Sequence, residues 1–176
     1  MMLESIHTEH GYITRLLNIL QQKLVAIQQG KEVNYQLIKD IVDYLQKHAE
    51  YCHHPKEDAL YHYYQSHYGD SREMKDLALE HAELAKLTQE FSETVDMILM
   101  DAVIPLDVFA SKLNTFVKRQ KAHLEFEEKY ILPLIRKTFT AADWVAVSTQ
   151  YEEYADPLFG DQVSERYRSL AERLNA

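Results

Sequence analysis

Cysteine, glycine, proline and long apolar runs are all scarce in this chain of 176 residues. Its single cysteine, Cys52, excludes a disulfide framework and a cysteine-based zinc finger. Four glycines and four prolines are too few for a β-sandwich or β-barrel, which needs turn residues about every 8 to 12 positions. No apolar run reaches the roughly 18 residues of a membrane-spanning helix, and the N-terminal MMLESIHTEH lacks the features of a signal peptide. We therefore expect one soluble, cytoplasmic protein with no membrane partner.

Basic residues are also in the minority, with 19 Lys and Arg against 28 Asp and Glu and a formal net charge of −9. Because binding to a nucleic-acid backbone requires a clustered basic face, we expect no nucleic-acid partner. Histidine and tyrosine are abundant by contrast, at 9 and 12 copies. Histidine binds metals and exchanges protons near neutral pH, so the histidines are the first candidates for a functional site.

Apolar residues recur at three- and four-residue steps through most of the chain, which predicts one helix after another. Gly30 suits the left-handed position that follows a first helix, and Asn34 suits the N-cap of a second. Pro55 lies inside the pattern of the second helix and predicts a kink or a restart there. The remaining helices are predicted from Ser71 to Met100, from about Pro105 to Pro133, and over residues 141–155 and 161–174.

Short connections make sequential helices antiparallel neighbours. The sequence therefore predicts an all-α fold, an up-and-down four-helix bundle over residues 1–138. A C-terminal helical extension over residues 139–176 is expected to pack on the same domain. Its helices either cover the bundle or mediate oligomerisation.

Several ionisable residues fall on the apolar faces of these helices. At 100° per residue, His10 lies about 20° from the centre of the apolar face of the first helix, and His81 lies about 60° from the centre on the third. On the fourth helix, Glu127 lies about 40° and His123 about 80° from the centre. Three helices therefore each direct a histidine towards the interior.

The second helix offers two pairs at i, i+4 spacing, His53 with Glu57 and His54 with Asp58. Projection along a straight helix puts the first pair closer to the apolar face, so we prefer His53 and Glu57. A proline interrupts this projection, and further candidates therefore remain open: His48, His54 and Asp58.

A buried cluster of histidines and carboxylates needs a shared partner, because an unpaired buried charge is very costly. A metal ion supplies that partner, and nitrogen and oxygen donors without cysteine suit iron, manganese or zinc. Two carboxylates can each bridge a pair of ions, which favours a dinuclear site. The competing interpretation is a helical interaction module whose histidines are ordinary core residues. The candidate ligands are His10, His53, Glu57, His81, His123 and Glu127.

These residues lie in motifs that resemble the hemerythrin-like (HHE cation-binding) family. The motifs are Glu9-His10 on the first helix, HHPKEDALY (53–61), LEHAEL (79–84) and HLEFEEKYILPLI (123–135). The last has the family's arrangement of a histidine, a pair of acids four residues later, a hydrophobic pair and a proline. The resemblance implies a four-helix bundle around a non-haem di-iron centre, with the six candidate ligands above. The tail resembles an extension found in a bacterial subgroup.

The resemblance implies a protein that binds, senses or detoxifies a small ligand such as dioxygen or nitric oxide. It leaves open a di-iron enzyme acting on oxygen, peroxide or nitric oxide, and iron storage or donation, including iron–sulfur-cluster repair. Repair proteins carry an N-terminal cysteine-bearing domain, whereas this sequence begins at the first bundle helix, which disfavours that role. Oxygen carriers of the family resemble a set of five histidines and two carboxylates, whereas four histidines are assigned here.

Overall fold

The computed structural model describes residues 1–175, and the described chain is helical, without a β-strand. Four long helical rods form the predicted bundle, and shorter helices follow at the C-terminus. The first rod is α1 (Met2–Gln28), and the third is α4 (Arg72–Leu99). The second and fourth rods each contain a π-helical segment. The second rod consists of α2 (Tyr35–Tyr44), the first π segment (Leu45–His53) and α3 (His54–Tyr68). The fourth rod consists of α5 (Leu106–Phe126), the second π segment (Glu127–Ile131) and α6 (Leu132–Thr138).

The predicted helix boundaries at Gly30 and Asn34 are confirmed. Gly30 has a positive φ of 71°, and the backbone N–H of Lys31 donates to the carbonyl of Ala26 at 2.9 Å across it. This left-handed residue lets the chain satisfy the last carbonyls of α1 before it turns. The side chain of Asn34 then accepts a hydrogen bond from the backbone N–H of Leu37 at 3.1 Å, which starts the second rod.

Each π segment precedes a proline, and this arrangement replaces the predicted kink or restart at Pro55. The N–H of His54 donates to the carbonyl of Ala49, and the N–H of Leu132 donates to the carbonyl of Glu127, both at a spacing of five residues. A proline has no N–H and clashes with the carbonyl four residues before it in a regular helix. The wider turn accommodates the proline without ending the rod, and it rotates the residues around it away from a straight-helix projection.

The bundle interior consists of two apolar clusters with polar residues between them. On α1, Ile6 belongs to the smaller core, Ile13 belongs to the larger core, and His10 lies between them. On the second rod and on α4, the candidate ligands likewise lie between residues of the two cores. On the fourth rod, Glu127 lies between Leu124 of the larger core and Ile131 of the smaller core, and His123 directly precedes Leu124. We call the interior between the larger and smaller cores the polar layer. None of the described helices combines the length and apolar character needed to cross a membrane.

The C-terminal region packs on the second rod. Here α7 (Ala141–Ser148) contacts α3, while α8 (Arg168–Asn175), preceded by a short 3₁₀ turn (Glu165–Tyr167), contacts α2. The predicted helices over 141–155 and 161–174 are therefore too long at their facing ends. Between them the side chain of Asp156 accepts hydrogen bonds from the backbone N–H groups of Leu158 and Phe159, both at 2.8 Å, which favours a turn over a helix.

Candidate metal centre

The six candidate ligands lie together in the polar layer, contributed by all four rods. His53, Glu57 and Glu127 are fully buried, and none of the other three is more than 5% exposed. The four histidines turn their Nε2 atoms towards the two carboxylates. His10 comes from α1, His81 from α4, and the other four from the second and fourth rods. Only the folded bundle brings these side chains together.

Glu57 and Glu127 each face histidines from several helices. Oε2 of Glu57 lies 3.0 Å from Nε2 of His10, and its Oε1 lies 3.1 Å from Nε2 of His53 and 3.6 Å from that of His81. Oε1 of Glu127 lies 3.2 Å from the Nε2 atoms of both His81 and His123, and its Oε2 lies 3.4 Å from that of His10. Each carboxylate therefore spans the space between opposite sides of the layer.

The Nε2 atoms of His81 and His123 lie 3.0 Å apart. Two nitrogen ligands about 2.1 Å from one metal ion and at right angles to each other would be about 3.0 Å apart. Two imidazoles that point their free nitrogens at each other in a buried site are well placed to bind the same cation.

The outward nitrogens of the histidines face a second set of acids, which we call the outer carboxylates. Nδ1 of His10 lies 2.7 Å from Glu128, Nδ1 of His53 lies 2.5 Å from Glu9, and Nδ1 of His81 lies 2.8 Å from Asp58. Nδ1 of His123 lies 3.4 Å from Glu80 without the alignment of a hydrogen bond. A carboxylate behind a metal-binding histidine fixes its tautomer and orientation. The outer carboxylates are Glu9, Asp58, Glu80 and Glu128.

The outer carboxylates link neighbouring helices in a closed circuit. Glu9 on α1 faces the second rod, Asp58 on the second rod faces α4, Glu80 on α4 faces the fourth rod, and Glu128 on the fourth rod faces α1. Each of these acids is adjacent in sequence to a candidate ligand on its own helix. Sequence reasoning missed this role, although the adjacent acids were a visible signal.

A buried lysine supports one member of this circuit. Lys56 is 3% exposed, and its Nζ donates to Glu9 at 2.6 Å and to the hydroxyl of Ser5 at 2.9 Å. Burial raises the pKa of Glu9, but His53 and Lys56 outweigh burial and hold that pKa below its usual value. Glu9 is therefore an anion held between a lysine and the outward face of a candidate ligand.

His54, which the straight-helix projection placed away from the interior, is also buried in the polar layer. Its ring stacks on His81 with centroids 4.2 Å apart and planes 10° apart. One of its nitrogens lies within 4.8 Å of donor atoms of Glu57, His81 and His123. Burial, and then the charge of His81, holds the pKa of His54 well below its usual value, which favours the neutral form that binds metals. The projection was wrong here because it crossed the end of the first π segment.

The other open candidates lie differently. Asp58 is an outer carboxylate, in contact with Nδ1 of His81. The ring of His48 stacks on Tyr44, a residue of the larger core, and Nε2 of His48 lies 3.3 Å from Asp156. His48 belongs to neither of the two groups of side chains that can hold a metal ion among the described residues.

The carboxylates control the protonation of the histidines. Burial lowers the pKa of each histidine, but the facing carboxylates outweigh it and raise the pKa of His10 to about 12, of His81 to about 10 and of His123 to about 9. Burial and the neighbouring Glu127 raise the pKa of Glu57, yet the facing histidines bring it down to about 2. Burial raises the pKa of Glu127 too, but hydrogen bonds from His10, His123 and His81 outweigh it and hold that pKa well below its usual value. Glu57 and Glu127, which we call the inner carboxylates, are therefore anions that attract protons or a metal cation to the histidines.

Several inward-facing atoms lack a hydrogen-bond partner among residues 1–175. They include Nε2 of His53, Oε1 of Glu57 and Oε2 of Glu127, which belong to fully buried side chains. Buried polar atoms in native proteins are normally satisfied, so an unmatched set that converges on one space indicates an ion. Imidazole nitrogens and carboxylate oxygens are donors that suit iron, manganese and zinc, and the residues present fit a bound metal.

Comparison with known proteins agrees with this chemistry. The family model for the hemerythrin HHE cation binding domain matches residues 1–135, which include every candidate ligand and every outer carboxylate. No curated protein matches the chain.

Proposed function

The chain belongs to the hemerythrin HHE cation-binding family, and we propose that it is a non-haem di-iron protein that binds, senses or detoxifies a small ligand such as dioxygen or nitric oxide. The main observation in support of this proposal is that two groups of buried donor residues share one carboxylate, that of Glu57. One group is His10, His53 and Glu57; the other is His54, Glu57, His81 and His123.

The two groups support two ions and define the proposed ligands of each. His10 and His53 would hold one ion, His81 and His123 would hold the other, and Glu57 would contribute to both. Glu127 is suited to the same bridging role, since its two oxygens lie 3.4 Å from His10 and 3.2 Å from His81. His54 is proposed as a fifth imidazole on the second ion. The proposed set is thus His10, His53, His54, Glu57, His81, His123 and Glu127.

Iron supplies redox chemistry and open coordination positions for a small ligand when it is bound. Manganese and zinc accept the same donors, so the identity of the metal is part of the proposal. The protein's own contribution is to fix the donors through the outer carboxylates and to keep bulk water away with the two apolar cores.

A surface groove offers a path to the site. The groove has a volume of about 460 Å³, runs between α1 and the fourth rod, and has His10 among its lining residues. Gly11 lines it too, and a Cβ at that position would meet nothing within 4 Å. The burial of the donors suits a ligand of two or three atoms better than a large substrate.

Two structural assignments accompany this proposal. We propose that residues 1–138 form the metal-binding bundle and that residues 139–176 form an extension of the same domain, with residue 176 outside the described residues. We also propose a cytoplasmic location, where iron and small diatomic ligands meet a reducing environment.

The test is to load the protein with ferrous iron without oxygen and to record its visible spectrum before and after adding dioxygen or nitric oxide. A new absorption band that is absent from the Glu57→Gln variant is expected. Iron-loaded protein whose spectrum stays unchanged with both gases would contradict ligand binding. Turnover of peroxide or nitric oxide would instead identify an enzyme, and transfer of iron to an acceptor protein would identify storage or donation.

A further inference from the structure

A tyrosine hydroxyl lies at the point where the two inner carboxylates meet. The hydroxyl of Tyr61 donates to Oε1 of Glu127 at 2.9 Å and lies 3.3 Å from Oε2 of Glu57. Tyr61 is on α3, one helical turn after Glu57, and is only 3% exposed. Its hydroxyl therefore faces the space shared by the two proposed ions rather than either one alone.

Most other donors around this space are hydrogen-bonded elsewhere, and Nδ1 of His123 faces Glu80 at 3.4 Å. The outward nitrogens of His10, His53 and His81 bind outer carboxylates. The ammonium of Lys56 donates to Glu9 and Ser5. When one nitrogen of an imidazole binds an ion, the other points away from that ion, so it is not directed at a ligand held there.

The hydroxyl of Tyr61 faces carboxylate oxygens of Glu57 and Glu127, which are the oxygens that a bound metal would use as ligands. A carboxylate oxygen that donates an electron pair to a cation is a weaker hydrogen-bond acceptor than the free carboxylate. With a metal bound, Tyr61 would therefore be a buried donor whose two acceptors, Glu57 and Glu127, are both weakened. A small anion bound at the metal provides a stronger acceptor.

We propose that the Tyr61 hydroxyl donates a hydrogen bond to a small anionic ligand bound at the metal centre. This inference rests on the proposed function, because it requires a metal centre that binds a small ligand. The chemical class of ligand is a compact anion with a nitrogen or oxygen acceptor, for which azide is a simple probe. In this role Tyr61 favours acceptors over apolar molecules of the same size.

The experiment compares Tyr61→Phe with wild-type protein, both loaded with iron and oxidised, in a titration with sodium azide followed by visible absorption. Azide is expected to bind about tenfold more weakly to the variant, as the loss of one hydrogen bond to a charged group predicts. Iron per chain is expected to be unchanged. Tyr63→Phe is the matched control, because the Tyr63 hydroxyl is on the same helix but donates to Asp143 at 2.9 Å.

An infrared measurement reports the hydrogen bond directly. The stretching frequency of bound azide is expected to shift between H₂O and D₂O in wild-type protein and in Tyr63→Phe, but not in Tyr61→Phe.

Equal azide affinity in the wild type and in fully loaded Tyr61→Phe would overturn the inference and leave the proposed function intact. Loss of iron from Tyr61→Phe would overturn it as well, because the hydroxyl would then serve to hold the carboxylates. Wild-type protein that takes up no iron would overturn the proposed function and this inference together.

Discussion

Leu17 and Leu20 in the larger core and His53 and Glu57 in the polar layer are all fully buried, but burial has opposite energetic consequences for the two pairs. Each leucine gains roughly 1.5 to 3 kcal/mol by leaving water. An imidazole or a carboxylate loses its hydration and recovers it only through partners. The larger core therefore stabilises the bundle, whereas the polar layer without a metal lowers its free energy of unfolding.

The comparison teaches why the ionisable residues are confined to one layer. Apolar clusters lie on both sides of the layer, and they hold the helices in register while the donors face each other. The outer carboxylates then bind the outward nitrogens of His10, His53 and His81, which leaves their inward nitrogens for a cation. Fold and site are in this sense separable, and each of the following predictions tests that separation.

Metal binding is expected to have the largest effect on stability, because it satisfies the polar layer. Each ion present at about a thousand times its Kd adds about 4 kcal/mol to the free energy of unfolding, so two ions add about 8 kcal/mol. Thermal unfolding of metal-free and iron-loaded protein at the same pH measures this difference. Equal melting temperatures in the presence of bound iron would contradict it.

The metal-free protein should in addition lose stability as the pH rises. The folded pKa values of His81 and His123, about 10 and about 9, exceed the usual value of 6.5. Their contribution is therefore fully present below about pH 6.5 and is lost as the pH passes through the folded values. Melting temperatures of metal-free protein from about pH 7 to about pH 9.5 are expected to fall, and a flat profile would contradict the raised values.

Removal of a buried partner is expected to cost less than the loss of the metal. Lys56→Met leaves Glu9, whose side chain is 14% exposed, beside His53 without its ammonium partner. Breaking a fully buried pair typically costs about 3 to 5 kcal/mol, and the partial exposure of Glu9 puts the expected loss at the lower end of that range. Lys75→Met is the matched control, since Lys75 is 63% exposed and its ion pair with Asp70 is worth less than about 1 kcal/mol. Urea unfolding of both variants checks this prediction, and equal losses would show that the polar layer gains nothing from Lys56.

A cavity in the larger core should destabilise the bundle without affecting the metal. Leu20→Ala removes a fully buried side chain and is expected to cost about 3 to 5 kcal/mol. The number of ions bound per chain should stay at the wild-type value, because no candidate ligand belongs to this cluster. Urea unfolding combined with metal analysis measures both quantities. Loss of iron from folded Leu20→Ala would break the separation between fold and site.

A small effect is expected at Glu50, a carboxyl in the first π segment that lies outside the polar layer's pairs. Burial raises the pKa of Glu50 to about 7, against a usual value of 4.5, so stability falls as the pH rises from about 4.5 to about 7 and the full loss is present above about pH 7. Glu50→Gln should match the wild type below about pH 4.5 and melt on the order of 2 °C higher above about pH 7. A lower melting temperature at high pH would contradict this prediction.

The regular helices made part of the site predictable. Helical projection predicts the buried positions of His10 and His81 because α1 and α4 keep a regular turn up to those residues. His54 was not found, because Pro55 signals an interruption without revealing that a π segment accommodates it. The pairing of the outer carboxylates was also out of reach, since it joins side chains on different helices and depends on how those helices face each other.

The number of iron ions bound per chain is the most direct test of the metal centre, and Glu57 is the residue on which it depends. Reconstituted wild-type protein should bind two ions per chain, and Glu57→Gln should lose both, because this carboxylate belongs to both groups of donors. Glu50→Gln, which alters another acid on the same rod, should retain two. Wild-type protein that binds no metal, or a Glu57→Gln variant that keeps both ions, would contradict the shared centre.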